Sequence, residues 1–205
     1  SDNSGLGVSF NEAVYNSNSA SGALEVSDFV LSISGGDATF TGGATSNYTP
    51  TSISKSGNIY TLGISLTGIA NGNETIKVNP AADDAIFDAN GNKASTTQNN
   101  NLIKINERIV PIISSVSIAS DNSTMAVTMS EVVYNTNSGS GSLEVSDFIF
   151  TLSGGSASLS SSTPTSVSVS KNIYTLGIGL TGTANGNELI TVNPLDDSIY
   201  DAAGN

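Results

Sequence analysis

Apolar and polar side chains alternate along this chain in short, regularly spaced runs. The clearest are Ile112–Ala119 (IISSVSIA), Thr124–Met129 (TMAVTM), Asp147–Gly154 (DFIFTLSG), Ser156–Ser160 (SASLS), Thr165–Ser170 (TSVSVS), Asn172–Leu180 (NIYTLGIGL) and Glu188–Pro194 (ELITVNP). On a pleated strand such alternation turns one face to a core and the other to water. Clusters of Gly, Asn, Ser and Pro separate the runs at spacings of about 8–12 residues. No segment sustains a helical period. About seven strands in roughly a hundred residues predict an antiparallel β-sandwich of immunoglobulin type.

The pattern occurs twice. NEAVYNSNSASGALEVSDFVLSISGG (Asn11–Gly36) returns as SEVVYNTNSGSGSLEVSDFIFTLSGG (Ser130–Gly155), and YTLGISLTGIANGNETIKVNP (Tyr60–Pro80) returns as YTLGIGLTGTANGNELITVNP (Tyr174–Pro194). The offsets, 119 and then 114 residues, make the unit a whole domain and not a short solenoid repeat. Two modules are therefore expected, residues 1–107 and 108–205, all-β and each large enough to bury a core without disulfides. Module 1 has no counterpart of Ile112–Ala119. Its last strand is expected within Ala94–Glu107, a stretch that module 2 lacks. The chain thus reads as about 1.7 repeats of something longer, with an open sheet edge in each module. Either neighbouring repeats of the same protein fill those edges, or strands are donated between molecules.

Charge narrows the functional classes. The formal net charge is −12, with 18 acids against 6 bases and no basic patch, which argues against a nucleic-acid partner. There is no His, Cys or Trp, and only 12% of residues are charged. That profile, rich in Gly, Ser, Thr and Asn, suits an extracellular β protein. No run of 18 apolar residues offers a membrane span.

Sixteen of the 18 acids fall into repeat-matched pairs, whereas none of the three bases that can be aligned, Lys55, Lys77 and Lys171, meets another base. With strands alternating in direction, the loop between the second and third strands (Glu131–Asp147) and the last loop (Pro194–Asn205) share one end. That end is expected to gather Glu131, Asp147, Asp196, Asp197, Asp201 and Asn205, with Glu144 nearby and Glu107 brought in by the linker. Module 1 is expected to repeat the cluster from Glu12, Asp28, Asp83, Asp84, Asp88 and Asn92, with Glu25 nearby. Crowded carboxylates repel one another unless a cation intervenes. An all-oxygen donor set without His or Cys selects a hard cation, and Ca2+ takes six to eight oxygens in flexible loop geometry. DANGN (Asp88–Asn92) has the alternating oxygens of a calcium loop; DAAGN (Asp201–Asn205) has one fewer.

Each of these positions has a plainer reading beside it. D-A-x-G-N also describes an Asx turn with glycine at positive φ. Asp28 and Asp147 can bond loop amides, Asp83–Asp84 and Asp196–Asp197 can cap a turn after proline, and Glu12 and Glu131 can be solvated loop residues. Glu25/Glu144 and Glu74/Glu188 read as surface strand residues, Asp2 and Asp121 as turn formers at the opposite end. The matched aromatics Tyr15/Tyr134, Phe29/Phe148, Tyr60/Tyr174 and Phe87/Tyr200 read as core.

The strings SDNSTMAVTMSEVVYNTNSGSGSLEVSDF, TPTS (Thr163–Ser166) and the terminal DAAGN resemble bacterial immunoglobulin-like repeats. The resemblance, to the tandem repeats of giant secreted adhesins and of cyanobacterial swimming-motility surface proteins, runs over essentially the whole chain. It implies a secreted or cell-surface stalk or fibre, commonly calcium-stiffened, whose glycan or protein receptor is bound elsewhere in the parent. Function belongs to the site and not to the fold, so the resemblance carries fold further than function.

Three functions compete. The first is a structural and adhesive repeat stiffened by calcium at its junctions. The second is an accessory spacer or carbohydrate-binding module of a secreted polysaccharide-degrading enzyme, with the lack of Trp arguing against sugar stacking. The third is catalysis, which has no activated nucleophile to draw on without His, Cys or a repeated Ser-Lys pair. Paired carboxylates can hydrolyse glycosides, yet duplication of the whole cluster suits metal binding better. A Lys–Asn isopeptide cross-link is disfavoured because no lysine recurs between the modules.

Overall fold

The computed structural model describes residues 2–205 and is all-β, with several antiparallel sheets consistent with sandwich architecture. It divides into two compact units, Ser1–Ile109 and Val110–Asn205, so the break falls two residues beyond the expected one. Among the described residues no helix is long and apolar enough to cross a membrane.

Unit 1 contains β1 (Gly5–Ser9), β2 (Phe29–Ser34), β3 (Thr39–Phe40), β4 (Ser52–Ser56), β5 (Ile59–Gly63), β6 (Leu66–Thr67), β7 (Thr75–Pro80) and β8 (Leu102–Lys104). They pair in the orders β1-β5-β4, β2-β7-β8 and β3-β6. The last strand expected within Ala94–Glu107 is β8, three residues long, and the rest of that stretch is loop. Alternation decides what is buried. In β7, Ile76, Val78 and Pro80 point inward while Thr75, Lys77 and Asn79 are half-buried. Leu31, Phe40, Leu62 and Ile76 lose all solvent contact, and together with Phe29 and Tyr60 they hold the two main sheets face to face.

Unit 2 repeats the plan with β9 (Ile113–Ile118), β10 (Thr124–Met129), β11 (Phe148–Ser153), β12 (Ser158–Leu159), β13 (Val167–Ser170), β14 (Ile173–Gly177), β15 (Leu180–Thr181) and β16 (Leu189–Pro194). Its sheets run β13-β14-β10-β9, β11-β16 and β12-β15. Val127, Leu176, Phe148 and Phe150 form its core. The difference between the units is one strand at each of two edges. β9 lies beside β10, with no counterpart beside β1; β8 lies beside β7, with no counterpart beside β16 among the described residues. Phe29, Phe148, Tyr60 and Tyr174 are all core residues, as their place in apolar runs leads one to expect.

Candidate functional site

In each unit two loops are zipped together by a single two-residue bridge. In unit 2 the Tyr134 amide donates to Tyr200 O (2.7 Å) and the Tyr200 amide donates back to Tyr134 O (2.8 Å). Tyr15 and Phe87 do the same in unit 1, at 2.8 Å in both directions. Below the bridge, the Tyr174 hydroxyl on β14 donates to Val133 O at 3.0 Å and accepts from the Val133 amide at 3.3 Å. Burial raises the pKa of that phenol, so it stays a neutral donor that pins the loop two residues after Glu131. Tyr60 reaches Val14 O at 3.4 Å in unit 1.

The bridge sets Asp201 close enough to Glu131 to act on it. The Glu131 carboxyl is raised, first by burial and then by the negative charge of Asp201. Asp201 is only 1% exposed and serves as the hub of its own turn. Its Oδ1 accepts the amides of Ala203 (2.8 Å) and Asn205 (2.9 Å), and Oδ2 accepts Asn205 Nδ2 at 3.0 Å. Asp88 organises DANGN identically, accepting from Asn90 N, Asn92 N and Asn92 Nδ2 at 2.7–2.8 Å. Those bonds, led by the Asn92 side chain, hold the Asp88 carboxyl below its ordinary range.

The remaining expected ligands are distributed as follows. Asp28 and Asp147 each end a short 3-10 turn and accept the amide of Glu25 or Glu144 at 2.7 Å. Their carbonyls accept Ala81 N and Leu195 N, which holds them at the same end as the last loop. Asp83 accepts Thr96 Oγ1 at 3.0 Å, while Asp84 and Glu12 lie on the exposed surface. Asp196 O accepts Ser198 Oγ, and Asp197, at φ 55°, offers its carbonyl to the Tyr200 hydroxyl. Glu107 sits elsewhere within unit 1, beside Gly72 at the end that carries Asn3, and accepts the Ile109 amide. Among the described residues, no group of three or more carboxylates is gathered so that it could hold a metal ion. Of the expected ligands in unit 2, Glu131 is the one whose carboxyl is raised by a neighbouring carboxylate, that of Asp201.

Glu74 and Glu188 correct the reading of them as surface strand residues. Glu74 is fully buried and clamps a loop pair at the opposite end of unit 1. Its Oε1 accepts the amides of Asp37 (2.8 Å), Ala38 (3.0 Å) and Asn71 (3.1 Å), and Oε2 accepts Gly72 N at 3.0 Å. Burial alone would raise this carboxyl, but the amides outweigh it and pull it below its ordinary value. Glu188 accepts the same set, Ser156, Ala157, Asn185 and Gly186. The Ala157 amide leads the interactions that lower its pKa to about 2. The signal lay in two repeated strings, S-G-G and N-G-N-E. A Cβ on Gly36 or Gly155, both at positive φ, would fall 2.1 Å from the carboxylate, so the second glycine is required where the glutamate docks. Asp2 and Asp121 are turn formers, each accepting the amide and hydroxyl of the serine two residues on.

Compared with protein-family models, with curated proteins and with solved structures, the chain matches none.

Proposed function

We propose that this chain is a pair of immunoglobulin-like repeat modules from a large extracellular bacterial surface protein or fibre, structural and adhesive, without catalytic activity. Its acid-lined loop end binds calcium. The observation that supports this reading is the loop end of unit 2, where the Tyr134–Tyr200 bridge ties the Glu131 loop to the turn of the buried Asp201, and where burial and then the charge of Asp201 disfavour ionisation of Glu131. Unit 2 offers a single base, Lys171, against eight acids, so relief from within that unit is scarce. A hard cation beside two carboxylates neutralises both and favours their ionised forms. Glu131 and Asp201 would hold it in unit 2, and Glu12 and Asp88 are the matched pair in unit 1. Further oxygens would come from loop carbonyls and the Asn92 and Asn205 amides. The repetition of whole modules and the weakly charged composition rich in Gly, Ser, Thr and Asn suit an extracellular stalk.

The test is thermal unfolding of the whole chain with millimolar calcium and with chelator. A ligand held only by the folded state stabilises it by about 2.7 kcal/mol at one hundred times its dissociation constant. The expected result is a rise of several degrees in Tm with calcium, lost in Glu131→Gln/Asp201→Asn, which keeps side-chain shape. Equal Tm values in calcium and chelator would remove the metal and leave a spacer module.

A further inference from the structure

The two units share one plan, so each shows what the other's open edge is built to receive. β10 is covered on its outer side by β9, in the register Ile118↔Met125, Val116↔Val127 and Ile113↔Met129. Met125, Val127 and Met129 are consequently buried to 2% exposure or less. The matched residues of unit 1 are Leu6, Val8 and Phe10, and Val8 and Phe10 remain partly exposed. Among the described residues β1 pairs only with β5. A groove of about 910 Å³ runs along its other side, between Leu6, Val8 and Phe10 on one wall and Val78, Leu102 and Ile103 on the other. Ile103 is paired with the fully buried Ile76, hence on the core-facing side of its sheet, yet it is 45% exposed. A core-facing residue left that open marks a missing layer. Unit 2 has the reciprocal defect: Val116 and Ile118 share the core face with Val127 and Met125 but are 52% and 48% exposed, where no strand equivalent to β8 adjoins β16.

We propose that the open edge of β1 is a strand-acceptor site, whose occupant is an extended segment with the alternating chemistry of Ile112–Ile118, bound antiparallel in the register that β9 adopts on β10. The occupant's Ile118-type residue would lie opposite Leu6, its Val116-type residue opposite Val8 and its Ile113-type residue opposite Phe10. The backbone is disposed for this. Phe10 N bonds Asn58 O and Ile64 N bonds Ser4 O, so alternation aims the amides of Leu6 and Val8 at β5 as well. The amides of Gly7 and Ser9 then face the open edge. In unit 2 the Ser130 amide donates to Ile112 O (2.8 Å) and Ser130 Oγ accepts the Ile112 amide (3.0 Å). Asn11 occupies the matching position in unit 1 and offers the same two functions, an amide donor and a side-chain acceptor. The β1 wall carries no acid until Glu12. Strand addition of this kind draws affinity from main-chain hydrogen bonds and selectivity from the apolar pockets.

The inference deepens the repeat-module reading and rests on it for the kinship of the occupant, but calcium plays no part in it. It is tested on the whole chain with a synthetic peptide of the sequence Pro111–Asp121, followed by amide exchange resolved at Gly7, Ser9 and Asn11. At a peptide concentration one hundred times its dissociation constant, exchange at those amides is expected to slow about 100-fold. Ser9→Pro removes an outward N–H at an exposed edge position, where proline is tolerated, and is expected to abolish the protection while β5 exchange stays unchanged. Three results would overturn the proposal: no slowing at Gly7 and Ser9, equal slowing by a peptide of permuted sequence, or concentration-dependent protection without peptide, which would make a second copy the occupant. Failure here beside a positive calcium response would remove the strand site alone; the reverse pair of results would remove the metal alone.

Discussion

Replacing Glu74 by alanine would leave four backbone amides of unit 1 without their acceptor. Hydrogen bonds to an ionised partner contribute about 1.5–3 kcal/mol each, and a buried donor left unpaired costs about 1–3 kcal/mol. Ala38 is buried, so its amide bears that full cost; the amides of Asp37, Asn71 and Gly72 lie nearer solvent and recover part of it from water. A loss of about 3–5 kcal/mol in unit 1 is expected, at the upper end for single substitutions. Glu74→Gln keeps an oxygen for three of the amides but turns an NH2 group toward Gly72 N, for a loss of about 1.5–3 kcal/mol. Glu188→Ala should cost unit 2 less, because Glu188 is half-buried and water can reach its donors. The burial differs because unit 1 continues past β8: Ile105 N bonds Glu74 O and Arg108 N bonds Ala70 O, roofing the clamp. Segment-resolved amide exchange on the whole chain measures this directly, with each unit as the other's reference. In Glu74→Ala, exchange in β2 and β7 should accelerate by two to four decades while β11 and β16 hold their rates. An acceleration below about tenfold would refute the clamp as a source of stability, and equal losses for Glu74→Ala and Glu188→Ala would refute the roof.

Acid should weaken unit 2 through Glu188. Its folded pKa is about 2 against an ordinary 4.5, so the stabilisation is complete above pH 4.5 and fades as pH falls toward 2. Glu188→Gln should flatten that part of the pH–stability curve in unit 2 urea titrations. Glu131 has the opposite sign: its raised pKa means stability is full below the ordinary value and declines as pH rises through the folded one. Glu131→Gln should therefore stabilise unit 2 at neutral pH in chelator, and lose that advantage when calcium is added, as read by Tm. Gly155→Ala should destabilise unit 2 by about 2–3 kcal/mol, since the residue sits at positive φ and its new methyl would meet the Glu188 carboxylate. A loss under about 0.5 kcal/mol in urea unfolding would show that the loop can move aside.

Periodicity alone carried much of the architecture. Val127, Leu176 and Ile76 alternate with polar neighbours, and a period of two leaves a strand only one way to face a core. The duplicated strings likewise announced two units and the pairing of acids between them, because repeated residues in repeated folds occupy repeated places. Local turn chemistry was also legible: Asp2, Asp88 and Asp201 accept amides two to four residues away, which short-range sequence can specify. What the chain order could not convey was long-range. Glu74 reads as one more polar residue at the mouth of a strand, and only the return of the Asp37–Ala38 loop, 36 residues earlier in sequence, makes it a buried clamp. Ala94–Glu107 reads as holding the last strand of module 1, but where that strand begins and ends is set by its pairing with β7, which extends over only three residues. The proximity of Glu131 and Asp201 depends on a bridge between Tyr134 and Tyr200, two loops 66 residues apart. Alternation states which face of a strand is apolar; which edge stays open, and which carboxylates meet, is settled only when distant segments are brought together in space.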